Sequence, residues 1–499
     1  MIQKRVFLTT GLLILVFSLI FFTFPNKHLS LAVLITALTP TVYFFILVLK
    51  LIREPPGQRR KRIPISLGIL SLCFLGLPFL LGLALFLLTP STTSLFFSVL
   101  TTGLVLTISY DLLNIPLALY HKHLEEEDHE KSISYYPPVS IIVPAYNEEK
   151  CIERTIESLI EIDYPSKEII VVDDGSTDKT YEIALRYAPK GVKVVHRSNG
   201  GKWAALNYGM LFAKGEIIIT VDADSLISRR ALMEVIRWFQ DPTITAVCGN
   251  VKVLNRNNFL TKCQALEYIT DINIAKRAFG IFGSTMVVPG VFGAFRRKVL
   301  EGTGFYDPDT LTEDFDTTIK ALKSGGVVQT TSSATAYTEA PETLTDLYKQ
   351  RLRWYRGTFQ VMIKHRDLLV HPRFGSLSVI GYPYILLSMV FVPLCGLLAI
   401  FSGIFACLTG AALEFLQMLG LFVSLEVLFS ILAIQLDNED LKLALYAPFF
   451  MIGYRQLRDL IRFKSLIDVV FRRKLTWTKV QRMGRAAEMM KRATQEIDV

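Results

Sequence analysis

Apolar residues crowd into residues 1–120 and again from about 376 to 455, and the stretch between has the mixed composition of a globular domain. The first block breaks into four apolar runs, about 5–24, 30–52, 65–88 and 94–119, each long enough for a membrane-spanning helix. Between the second and third lies REPPGQRRKR, where five of ten residues are Arg or Lys, which marks that loop as cytoplasmic. The other connections, PNKHLS and TPSTTS, are short and poor in basic residues. Parity then places residue 120 and the globular stretch on the cytoplasmic side. The opening MIQKRVFLTTGLLILVFSLIFFTF lacks a small-residue cleavage site and reads as a retained span rather than a signal peptide.

After the charged hinge HLEEEDHEKSISYYPP, the pattern alternates. VSIIVPA reads as a strand ending in the polar turn YNEE, and CIERTIESLIEI has helical spacing. KEIIVVDD, VKVVHRS and EIIITVDADS follow as strands, separated by the helical YEIALRYA and KWAALNYGMLFA. The apolar runs are dense rather than alternating, which predicts a parallel sheet covered on both faces. Ligands of such sheets bind at the C-terminal ends of the strands, where the acidic residues fall here. From 230 to 376 the pattern loosens. VFGAFRRKVL predicts a strand running into a helix, and DPDTLTEDFDTTIKALKSGG a loop and a helix closed by two glycines. TLTDLYKQRLRWYRGTFQVMIKH is a basic helix with aromatics, suited to a membrane surface. Residues 376–436 hold two or three spans, and LKLALYAPFFMIGYRQLRDLIRF is either one more short span or a surface helix. The basic tail belongs inside, so the C-terminal crossings must be even in number.

Composition sharpens this picture. Half of the 499 residues are hydrophobic, and a mean hydropathy of +0.38 is too apolar for an ordinary soluble enzyme. The net charge of +9 fits cytoplasmic loops and lipid headgroup contact, and no nucleic-acid partner is expected. The six cysteines are scattered without ligand spacing, which argues against a disulfide framework or a structural zinc site.

The candidate chemistry sits at the strand ends. Asp222 and Asp224 flank one residue after a strand, and positions i and i+2 of a strand share a face. Two hard oxygen ligands there suit Mg2+ or Mn2+, although a DxD can also be just a polar loop. VVDDGSTD places Asp173 and Asp174 at another strand end, where a carboxylate can accept from a base or ribose; an ordinary helix start is the plainer alternative. Lys202 follows two glycines and opens a helix, as a diphosphate-binding lysine or a solvated one would. Asp314, in LTEDFD, is either a general base or an acidic residue of a first helical turn. Gln350, Arg353 and Trp354 in QRLRW lie within about one helical turn, as a leaving-group and sugar platform or as a basic interfacial helix.

The ordered set SIIVPAYNEE, VVDDGSTD, GGKWAALNYG, TVDADS, GVFGAFRR, DPDTLTEDFD and QRLRW resembles the membrane-embedded family-two glycosyltransferases, the group of cellulose, chitin, hyaluronan and poly-N-acetylglucosamine synthases. The likeness covers about 138–376 and extends weakly to WTKVQRMG in the tail. GAFRRKVLEGTGFYDPDTLTEDFD is most similar to the poly-N-acetylglucosamine synthases, although four N-terminal spans depart from the two usual there. The resemblance implies an α/β GT-A fold, Rossmann-like with a mostly parallel sheet, flanked by N- and C-terminal transmembrane blocks. It implies an inverting transfer from a UDP-sugar, UDP-N-acetylglucosamine or UDP-glucose. On this reading Asp314 is the base, Asp174 contacts uracil, and Glu148 and Lys202 line the nucleotide pocket. Asp222 and Asp224 hold the diphosphate through the metal, while Gln350, Arg353 and Trp354 hold the diphosphate and the acceptor end.

The expected organisation is a membrane block at 1–120, a linker at 121–137, a cytoplasmic transferase domain at 138–376, a second membrane block at 377–465 and a basic tail at 466–499, in a multi-pass protein of the cell membrane. A growing glycan threaded through the spans is one acceptor class; the alternative is a lipid acceptor and a non-processive reaction. A transporter with a nucleotide-sensing domain leaves Asp314 unexplained, and it requires charges inside the spans, where the first three runs are nearly free of them.

Overall fold

The computed structural model of the chain describes residues 114–473, apart from 116, 130, 131, 370, 372 and 373. The first three N-terminal runs, most of the fourth, and WTKVQRMG lie outside the described residues. The chain divides into two compact units, Glu125–Arg366 with Ser465–Val499, and Met1–Leu124 with Asp367–Lys464.

Among the described residues, eight strands build the first unit: β1 (Val139–Ala145), β2 (Lys167–Asp173), β3 (Val192–His196), β4 (Ile217–Thr220), β5 (Ser225–Ile227), β6 (Ile244–Val253), β7 (Gly293–Arg296) and β8 (Val327–Thr338). They form one sheet in the order β3-β2-β1-β4-β7-β6-β8-β5. The helices are α1 (Ile152–Ile160), α2 (Thr180–Leu185), α3 (Lys202–Met210), α4 (Ala231–Trp238), α5 (Phe259–Glu267), α6 (Ile274–Gly280), α7 (Arg297–Gly302), α8 (Glu313–Lys323) and α9 (Leu344–Lys364).

The first four strands are parallel, in the places their dense apolar runs predict. Ile141, Val143 and Ile219 face one core with α1 and α4. Ile142 and Val172 face the other side, where α3 comes so close that a Cβ on Gly209 would meet Ile142 at 2.6 Å. A strand buried on both faces needs apolar residues at every position, and each fully buried Ile or Val contributes about 1.5–3 kcal/mol.

The second half adds antiparallel strands to this sheet. β7 runs antiparallel to both β4 and β6, and β5 antiparallel to β8, while β6 and β8 pair in parallel, so the sheet is mixed but mostly parallel. The linker at 121–137 is also more ordered than a hinge, because residues 117–129 are helical. Between Cys248 and Asn250 of β6, β8 bulges from Thr330 to Thr335. A bulge frees backbone donors. Here Ser332 N (2.7 Å) and Ser333 N (3.2 Å) donate to the buried Glu125 carboxylate, as does Thr331 Oγ1 (2.5 Å). The charged segment that reads as a hinge therefore contributes one buried carboxylate to the domain.

Among the described residues of the second unit, two helices are long and apolar enough to cross a membrane, Tyr382–Thr409 and Phe415–Leu436. The segment read as a further short span or a surface helix is broken instead. It kinks at Ile452 and Gly453 before the helix Arg455–Val470 begins.

Candidate active site

The DxD pair sits one step beyond where its pattern predicts. β4 ends at Thr220, and Ser225 N donates to Asp222 O at 3.1 Å, so Asp222 and Asp224 belong to a turn between β4 and β5. A turn rather than strand alternation aims the two carboxylates. Both are half-buried, and Asp224 Oδ1 accepts from Ser225 Oγ at 3.3 Å.

Lys202, the first residue of α3, joins this turn to the TED motif. Its Nζ lies 2.6 Å from Asp222 Oδ1 and 3.1 Å from Glu313 Oε1. Burial opposes the charge on this ammonium, but Asp222, Glu313 and Asp314 outweigh it and hold the lysine protonated. Asp314, in the first turn of α8, accepts from Gly290 N at 3.2 Å and from Phe315 N at 2.8 Å. Burial and then the neighbouring Glu313 charge push its carboxyl up to about 6, against the pull of Lys202.

Gly290 is a site residue that sequence reading missed. A Cβ there would lie 2.3 Å from Lys202 Nζ and 3.1 Å from Asp222 Oδ1. Only a hydrogen side chain lets its backbone reach Asp314 while the lysine passes beside it. Gly290→Ala should keep the fold, because a flexible ammonium can move aside, yet lower turnover about 100-fold by misplacing Lys202. Turnover rates and thermal melts of the two proteins measure this; wild-type turnover in the variant contradicts the role.

Asp174 closes the other side of α3. Its buried carboxylate accepts from Gly200 N (3.1 Å) and Gly201 N (2.7 Å) and pairs with Arg197 Nε at 3.2 Å. It thereby fixes the loop that delivers Lys202. Glu148 stands after β1, with its backbone N donating to Thr180 Oγ1 at 2.7 Å.

α9 carries Gln350, Arg353 and Trp354 at i, i+3 and i+4, on one side of the helix. Two contacts draw this helix to the TED motif. Leu311 N donates to Gln360 Oε1 at 3.0 Å, and Gly357 packs so tightly that a Cβ would meet Thr312 Oγ1 at 2.6 Å. The group that orders QRLRW is Arg351, which the motif reading passed over. Its Nη1 donates to Gln350 Oε1 at 2.5 Å, its Nη2 pairs with Glu267 Oε2 at 2.7 Å, and its guanidinium lies 4.2 Å from the Trp354 ring centre.

A second acidic group, Asp307, Asp309 and Asp316, brings its oxygens within 4.8 Å of one another. Its charge is met from inside the chain: Lys364 Nζ lies 2.6, 2.9 and 3.0 Å from the three carboxylates, and His365 Nε2 lies 2.8 Å from Asp316. Burial alone would raise the Asp316 carboxyl, but His365 and Lys364 hold it below its usual range. This node ties the end of α9 to α8 and needs no metal. A separate groove of about 930 Å3, lined by His196, Arg197, Trp203, Tyr208, Arg297 and Phe305 among others, includes none of the predicted site residues.

The structure thus joins Asp222, Lys202, Glu313 and Asp314 in one constellation, with α9 packed against its TED side. A two-carboxylate, oxygen-only pair at a half-buried turn fits a hard divalent cation.

Residues 140–304 match the profile of Glycosyl transferase family 2. A curated relative, the poly-beta-1,6-N-acetyl-D-glucosamine synthase of Staphylococcus epidermidis, is 31% identical over 261 residues, 52% of this chain and 63% of that protein. Its counterpart from Staphylococcus aureus is 32% identical over 229 residues, 45% of this chain and 56% of that protein. The chain thus spans less than two thirds of either relative's length. Among solved structures, a mannosyltransferase from Pyrobaculum calidifontis, determined with GDP-Man and Mn2+, covers 73% of this chain and is itself matched over 100% of its length, with a TM-score of 0.51 at 22% identity. That likeness concerns the fold, and it agrees with the GT-A-like sheet. The resemblance drawn from the motifs to family two and its poly-N-acetylglucosamine synthases is borne out.

Proposed function

We propose that the chain is a membrane-bound, inverting glycosyltransferase that elongates a β-linked polysaccharide from UDP-N-acetylglucosamine. The observation that carries this reading is the Lys202 bridge between Asp222 and Glu313, beside Asp314. The printed names of the curated relatives support the sugar. The two long apolar helices support membrane attachment, and the basic loop REPPGQRRKR supports a cytoplasmic domain at 138–376 between blocks at 1–120 and 377–465.

In this mechanism Asp314 takes the proton of the acceptor hydroxyl. The acceptor oxygen bonds to C1 of the donor sugar as the C1–O bond to the diphosphate breaks, and UDP leaves with the bonding pair. One base opposite the leaving group suffices for inversion. Asp222 and Asp224 would hold Mg2+ or Mn2+, which supplies charge neutralisation at a diphosphate. Lys202, held protonated, places a fixed positive charge beside them. Asp174 and Glu148 contribute the nucleotide side, and Asp174 does so while holding the 200–201 loop. Gln350 and Arg353 receive the diphosphate, and Trp354 offers its ring to the sugar at the acceptor end.

Calorimetric titration of UDP into the purified full chain tests the donor site. Binding should need Mg2+ or Mn2+, vanish with EDTA, and weaken at least about tenfold in Asp224→Ala, the loss of one charged ligand. Equal affinity with and without the cation, or in the variant, would remove the metal assignment.

A further inference from the structure

The segment ahead of Asp314 carries a buried polar group that the mechanism above leaves unused. Tyr306 is 3% exposed. One side chain clamps its backbone at both ends: Tyr306 N donates to Asn207 Oδ1 at 3.1 Å, and Asn207 Nδ2 donates to Tyr306 O at 2.9 Å. The preceding residue, Phe305, sits in the left-handed region at φ 61°, which is unfavourable for a bulky side chain. Its carbonyl accepts from Lys320 Nζ at 2.7 Å and its N–H donates to Leu300 O at 2.8 Å. The surroundings therefore over-determine the position of the tyrosine.

For all this anchoring, the Tyr306 hydroxyl has no hydrogen-bond partner among the described residues, nor do the Thr310 and Thr312 hydroxyls of the same segment. A buried hydroxyl left unpaired is costly, and such groups call for an explanation. The phenol feels the charges of Glu313, Lys202 and Asp314, the groups of the assembled site. Burial first and Glu313 second hold it in its neutral form, able to donate.

We propose that Tyr306 is a substrate-binding residue of the transfer site, its hydroxyl donating a hydrogen bond to an oxygen of the sugar held against Asp314. This rests on the transferase reading. The clamp by Asn207 and the strained Phe305 then serve to present that one donor.

The test is Tyr306→Phe in the purified full chain, with initial rates measured against UDP-N-acetylglucosamine and thermal melts in parallel. We expect kcat/KM to fall about 10- to 100-fold, the loss of one hydrogen bond to substrate. The melting temperature should be unchanged or higher, because no bond within the protein is lost. A rise in KM at constant kcat assigns the bond to the donor sugar, and a fall in kcat alone to the acceptor sugar. Wild-type kcat and KM overturn the proposal, and so does a lowered melting temperature with activity falling in proportion to the folded fraction. Absence of transfer by the wild-type chain from any UDP-sugar overturns the transferase reading, and this inference with it.

Discussion

Replacing Asp314 by asparagine is expected to lower sugar transfer about 10²- to 10⁴-fold, the range for loss of a general base, without unfolding the domain. Asparagine has the same shape and keeps one oxygen for the two backbone donors, Gly290 N and Phe315 N. One of those bonds is lost, but so is a carboxylate that burial and Glu313 disfavour. The same environment sets the pH dependence. A base must be deprotonated to act, so with the carboxyl pushed up to about 6, kcat/KM should fall roughly tenfold per pH unit below that value and level off above it. Burial first and Glu313 second set that value against the pull of Lys202 and the two backbone bonds, and the buried Lys276 feels the same carboxylate.

Stability should run the other way. The folded state holds the Asp314 proton more tightly than the unfolded chain, whose ordinary value is 3.8. Its stabilising contribution is therefore complete below about 4 and is lost as the pH rises through about 6. The melting temperature of Asp314→Asn should gain on wild type between pH 4.5 and 7.5. A variant that melts far below wild type at both values, with activity tracking the folded fraction, would make Asp314 a structural residue.

The largest stability effect is expected at Arg351, whose side chain is wholly buried. Arg351→Ala takes this guanidinium away from the buried Glu267 carboxylate, and removing one partner of a buried ion pair costs about 3–5 kcal/mol. It also removes the groups that hold Gln350 and lie over Trp354, so activity should fall further than the folded fraction. The pair can be separated from its cost. Arg351→Met combined with Glu267→Gln removes both charges and should recover most of the lost stability, since a buried ion pair and an apolar replacement are often close in energy. Chemical denaturation of wild type, both single variants and the double variant gives the coupling directly. Equal losses in the single and double variants would mean that Glu267 is not what Arg351 neutralises.

How much of this was legible in the sequence depended on whether a residue's partners lie nearby in the chain. β1, β2 and β4 could be read because strands buried on both faces write themselves as dense Ile and Val runs. Asp314 and Lys202 could be read because each opens a helix after a recognisable loop. β8 could not: VVQTTSSATAYT has no apolar density, and its pairing with β6 is decided by chain 82 to 85 residues away. The strand-face argument for Asp222 and Asp224 failed because β4 stops at Thr220 and a turn takes over. Gly290, Arg351, Glu125 and Tyr306 were invisible for one shared reason. Each matters through a contact made across the fold: Lys202 beside Gly290, Glu267 beside Arg351, the β8 bulge around Glu125, and Asn207 beneath Tyr306. Spacing along the chain carries no trace of such contacts.

The central claim is that the Asp222–Lys202–Glu313–Asp314 constellation transfers a sugar from UDP. The most direct measurement incubates the purified full chain in nanodiscs with Mg2+ or Mn2+ and radiolabelled UDP-N-acetylglucosamine, beside Asp314→Asn, and sizes the products by gel and organic extraction. The account predicts label in a long water-phase polymer from wild type and almost none from the variant. Label confined to the lipid phase would contradict the polymer and favour a lipid acceptor, and equal incorporation by the two proteins would contradict the site itself.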